Sequence, residues 1–106
     1  MKIAFSIAAS ARRRIEALVD ALKRQNGLPE VIPAVMWLDA DLNPDIATSR
    51  VVIGFYDNRA DIIDDITVED GFAFVLAVTR DDERLFDGQE LHYIDDAFVL
   101  KQRRTH

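Results

Sequence analysis

The sequence predicts an α+β domain: one N-terminal helix followed by a mainly antiparallel β sheet, or by two small packed sheets. Three observations carry this. Apolar residues recur at helical spacing only between Ile7 and about Gln25. From Pro29 onward the apolar runs are short and rich in β-branched and aromatic residues. The links between those runs are too short for crossover helices, which favours antiparallel pairing.

Lys2–Phe5 is predicted to be a short strand. In the helix that follows, Ile7, Ala11, Ile15, Leu18 and Leu22 form one stripe, which Val19 widens. Ser6 is placed to cap its start and Asn26-Gly27 to end it. Glu16 and Asp20 lie one turn from Arg13, Lys23 and Arg24, at the spacing of weak favourable pairs. Val31–Leu38 is almost wholly apolar, and Pro33 within it favours an edge position or a late strand start. Arg50–Tyr56 is a second strand, turned by Asp57-Asn58. Gly71–Thr79 is the clearest strand. Phe72, Phe74, Leu76 and Val78 give it a large face, and Ala73, Val75 and Ala77 a small one. Such a pattern predicts burial on both faces, with the small face admitting a helix or second sheet closely. Asp81–Phe86 can form a helical turn, and the Asp87-Gly88 turn leads into Glu90–Ile94. Ala97–Lys101 completes a hairpin, and Gln102–His106 is expected to fray.

At 106 residues the chain has room for a single domain, residues 1–106, with a core that needs no covalent staple. It contains no cysteine, which excludes disulfides, thiolate metal sites and a cysteine nucleophile together. No apolar run reaches the ~20 residues that span a bilayer, and the N-terminus runs into an Arg-rich amphipathic stretch. A cytoplasmic protein without membrane contact is therefore expected. The net charge of −6 disfavours nucleic acid and suits a protein partner with a basic surface. Arg12-Arg13-Arg14 and Arg103-Arg104 read as solvated charge.

The stretch from Ile3 to Ile15, the Asp70-Gly71 strand opening, the Asp82–Phe86 turn and Phe86-Asp87-Gly88-Gln89-Glu90-Leu91-His92-Tyr93 together resemble the HesB-like, A-type iron–sulfur carrier family. The resemblance covers about two-thirds of the chain. It implies a HesB-like β fold and, in the family, a cluster held by thiolates. Those cysteines lie in a Gly-rich loop between the middle strands and in a C-x-C pair near the C-terminus. Here the loop Asp39–Ser49 and the segment Asp95–His106 hold the corresponding places, and neither contains cysteine or glycine. Carboxylates substitute poorly for soft thiolates. The resemblance therefore implies a retained scaffold that has lost cluster carriage, with no cofactor.

Other chemistry is sparse. Asp39-Ala40-Asp41-Leu42-Asn43-Pro44-Asp45 alternates oxygen ligands as a calcium loop does, but Pro44 and Arg50 stand where an EF-hand needs Gly and Glu. It reads as an Asx-rich turn. Asp61, Asp64 and Asp65, with Glu69 and Asp70, make an acidic stretch that can face a partner or guard a sheet edge. His92 with Asp95 or Asp96 offers two ligands for a divalent metal such as ferrous iron, and a third nitrogen only if His106 folds back. Trp37, Phe55, Phe72, Phe74 and Phe98 read as core. No nucleophile elbow or phosphate-binding glycine loop is present, so no enzyme activity is expected.

Two functional expectations follow. The first is a non-catalytic HesB-like accessory or binding module. Its alternative is an acidic, immunity-type interaction protein docking through Asp61, Asp64 and Asp65, or a carboxylate/His metal-binding protein. Self-association through Val31–Leu38 and Ala97–Leu100 stays open alongside a monomer.

Overall fold

The computed structural model describes residues 3–103, the side chain of Asp61 excepted. The chain order is β1 (Phe5–Ile7), α1 (Ala9–Asn26), β2 (Ile32–Leu38), β3 (Arg50–Tyr56), β4 (Ile66–Glu69), β5 (Phe72–Leu76), α2 (Glu83–Phe86), β6 (Gln89–Ile94) and β7 (Ala97–Gln102). Two 3-10 turns, Arg59–Asp61 and Ile63–Asp65, link β3 to β4. The strands form two small sheets, one in the order β1-β6-β7 and one in the order β3-β2-β5-β4. This is the α+β class that the sequence predicts.

Helix α1 follows its apolar stripe. Ala11 and Ile15 are fully buried against Val35, Phe72, Phe74 and Leu91. Gly27 ends it at φ +62, the left-handed geometry that glycine adopts without a Cβ penalty. Its start differs from expectation. Ser6 lies in β1, where its hydroxyl donates to Glu90 Oε2 (3.2 Å), and Ala8 caps the helix through its backbone alone. Because Ser6 is drawn into the sheet, the helix begins later than predicted. The first strand likewise lies downstream of Lys2–Phe5; Lys2 is outside the described residues.

Pairing is mainly antiparallel, with two parallel contacts that short links do not predict. β1 runs beside β6 and β2 beside β5. Each joins strands separated by several elements, so no single crossover helix is needed. Pro33 sits in a central strand, against expectation. The β2–β5 register covers only Ala34 and Val35, so Pro33 stands where β2 has no partner on that side. The segment Ile66–Glu69 is a strand that the acidic stretch conceals. It turns into β5 through Asp70 (φ +49) and Gly71 (φ +79), a type I′ hairpin.

The main core fills the space between the sheets, where Phe74, Phe86, Ile15, Leu91 and Val35 are fully buried. Phe86 receives the edges of Phe5 (5.6 Å) and Trp37 (6.1 Å), both T-shaped. β5 is buried on both faces as predicted, with the roles of the faces exchanged. Its large face meets α1 and the other sheet. Its small face packs with Ile32, Ala34 and Ile62, and Ile62 is carried by the 3-10 segment. Of the tail expected to fray, Gln102 is in β7 and Arg103 N–H donates to Gly88 O (2.9 Å); residues 104–106 are outside the described residues.

Phe86→Ala removes the ring that joins β1, β2 and α2. It is expected to lower unfolding free energy by about 3–5 kcal/mol, measured by urea denaturation. A loss below 1 kcal/mol would place the core's centre elsewhere.

Candidate functional site

His92 lies on β6, and Asp95 and Asp96 lie in the turn that follows it. His92 Nε2 lies 2.9 Å from Glu90 Oε1, and Glu90 Oε2 accepts from Ser6. The histidine is thus held by a carboxylate on its own strand face. Asp95 (φ +53) and Asp96 (φ +64) form the type I′ turn between β6 and β7, closed by the Ile94↔Ala97 pair. Their exposed side chains serve a turn in which Asp tolerates the left-handed region. Among the described residues no three His, Cys, Asp or Glu side chains gather in metal-binding geometry. His106 is outside those residues.

The 39–45 loop spends its oxygen atoms on itself. Asp39 Oδ1 accepts from Asp41 N–H (2.8 Å), Asn43 Nδ2 donates to Asp39 O (2.8 Å), and Ala40 N–H donates to Ser49 Oγ (2.8 Å). These are the Asx-turn bonds expected of a polar loop.

The end of the 39–49 loop and the start of β3 meet β7. Ser49, Arg50 and Val51 face Phe98, Val99 and Leu100 across a depression of about 280 Å³. An iron–sulfur cluster needs soft anionic donors. The groups brought together here are a hydroxyl, a guanidinium and apolar side chains, so the residues present do not fit a cluster.

The arginine run is more specific than solvated charge. Arg12 lies over the Phe72 ring (5.2 Å), donates to Asp70 O (3.1 Å) and pairs with Glu16 (3.5 Å), while Arg14 lies over Tyr93 (5.5 Å). These guanidiniums pin the helix to β5 and β6.

The acidic stretch is divided by the fold. Asn58 Oδ1 accepts from Ala60 N–H (3.0 Å) and starts the first 3-10 turn. Asp64 and Asp65 are exposed, beside an Ile63 that is 62% exposed. Only Asp65 of this pair reaches a cleft of about 440 Å³ between β1 and β4. The cleft has an apolar floor of Phe5, Phe74 and Leu76, and Ser6 and Thr67 on its walls. Asp65, Glu69 and Glu83 bring carboxylates to it, against one cation, Arg103. Among the described residues none of these four charged groups has an ion-pair partner.

Sequence reasoning missed this cleft. Its signal is the alternation Ile66-Thr67-Val68-Glu69, which sets Thr67 and Glu69 on one face of a strand.

No protein-family model matches the chain, and no curated protein matches it.

Because Asp96 occupies a left-handed position, Asp96→Gly is expected to raise unfolding free energy by roughly 0.5–1 kcal/mol. Urea denaturation checks this, and a fall in stability would assign the Asp96 carboxylate a favourable contact.

Proposed function

We propose that the chain is a HesB-like domain that keeps the scaffold without cluster chemistry and works as a small, non-catalytic binding or accessory module. The element order supports this: a short strand and long helix, a strand opened by Asp70-Gly71, the turn α2, then Asp87-Gly88 leading into β6. The observation that carries it is the meeting of Ser49–Val51 with Phe98–Leu100. Under the proposed correspondence, Ser49 of the 39–49 loop and the segment that begins at Asp95 line one depression with no soft donor. Anaerobic incubation with ferrous iron and sulfide, then gel filtration, is expected to leave protein without charge-transfer absorption. A stable cluster after filtration overturns the reading.

The second reading, an acidic immunity-type interaction protein, is favoured by one feature. Exposed Asp64 and Asp65 adjoin apolar side chains that are also open, Ile63 at 62% and Val68 at 61%. A basic partner docking there would be steered by charge and held by apolar contact. Binding of a lysine-rich probe protein is expected to weaken with salt. Replacing Asp61, Asp64 and Asp65 by Asn is expected to flatten that dependence. Unchanged salt dependence excludes docking through this edge.

A further inference from the structure

The cleft between β1 and β4 is bounded by two strand edges that have no neighbouring strand among the described residues. β1 is the outer strand of one sheet and β4 of the other. The two-residue turn Asp70-Gly71 makes Glu69↔Phe72 the hydrogen-bonded pair that closes its hairpin. Bonded and non-bonded pairs alternate along an antiparallel ladder, so Thr67↔Phe74 is bonded next. The backbone groups of Ile66 and Val68 therefore point out of the sheet. On β1, Ala4 O accepts from Gly88 N–H (2.6 Å) and Ala8 N–H donates to Leu91 O (2.8 Å). The same alternation turns the backbone of Phe5 and Ile7 away from β6.

Open edges recruit other strands. The side chains around this one select which. Thr67 and Glu69 share the face of Phe74 and Phe72, so Glu69 sets its carboxylate on the cleft side of β4, with Asp65 at the strand's start and Glu83 also lining the cleft. A second copy of this chain would bring like charges against them, at a cost in free energy. Lysine or arginine side chains at alternate positions of an extended segment fit instead. Their stems would cover Phe74 and Leu76, with the cationic heads at the carboxylates. Residues on the segment's other face would meet Ile66 and Val68.

Building on the binding-module reading, we infer that this cleft receives an extended, Lys- or Arg-bearing segment of a partner protein, added as a strand along β4. Main-chain bonds to Ile66 and Val68 supply the pairing, and Asp65, Glu69 and Glu83 select basic side chains.

The test uses the full chain and a short capped peptide of alternating lysine and valine, with a glutamate–valine peptide as control. Calorimetry reads binding and NMR amide exchange reads the edge. Saturable binding of the lysine peptide alone is expected, with slowed exchange at the Ile66 and Val68 amides. Glu69→Gln should weaken it about tenfold, the scale of one charge-assisted contact. Val68→Pro removes an amide that the fold leaves unpaired, so it should abolish binding while the protein stays folded. Binding without slowed exchange at Ile66 and Val68 overturns strand addition and leaves the binding module standing. Equal binding of the glutamate peptide, or no binding of the lysine peptide, also overturns it. Cluster reconstitution then decides the domain reading separately.

Discussion

The parallel pairing of β1 with β6 is the constraint on which the rest of the structure depends. It joins residues near the two ends of the chain: Phe5 with Gln89, Ser6 with Glu90 and Ile7 with Leu91. Polar contacts continue the seam on both sides. Ala4 N–H donates to Asp87 Oδ1 (2.9 Å), and Tyr93 N–H donates to Ser10 Oγ (3.1 Å). The seam fixes where α1 starts, brings Ala11 and Ile15 onto the core, and seats Phe5 against Phe86. It also leaves the far side of β1 open. The scaffold and the unfilled cleft thus share one cause.

The larger sheet is held from both faces, and the two faces differ in kind. One meets α1 and the smaller sheet through contacts such as Arg12 over Phe72 and Phe5 against Phe74. The other is covered only in part. Ile62 packs over Ile32, Ala34 and Val75, while Met36 stays 38% exposed nearby on the same face. Gly54 makes that arrangement fit, since a Cβ there would lie 2.6 Å from Met36 Sδ. Ile62 is held in place by the 3-10 segment, which Asn58 caps and the Arg59–Glu30 pair (3.0 Å) ties back towards β2. Asn58 and Arg59 thus serve to anchor one apolar side chain.

Charged residues here mostly serve the scaffold. Arg12 and Arg14 clamp the helix through aromatic rings, and Glu90 bridges Ser6 and His92. Asp39 organises its own loop. At the β1–β4 cleft Asp65, Glu69, Glu83 and Arg103, which have no ion-pair partner among the described residues, line a partly apolar trough. A trough of that composition, flanked by open strand edges, has the geometry for recognising a peptide chain.

The fold class, the helix and the strands Arg50–Tyr56 and Ala97–Gln102 were legible because each is encoded locally, by the period of its apolar residues. One turn and one strand were less legible. Asp95-Asp96 is a type I′ turn without the glycine that normally signals one, so the pair read as candidate ligands. β4 was hidden because its four residues carry charge at one end and follow an acidic run. The cleft was not legible at all, for its walls come from β1, β4, α2 and the chain end. The sequence by itself determined the long helix and most of the strands, and that the chain has no cysteine thiolate. Only the tertiary structure decided which strand edges stay open and which carboxylates meet there. Those outcomes depend on pairing between residues more than eighty positions apart, and local periodicity carries no information at that range.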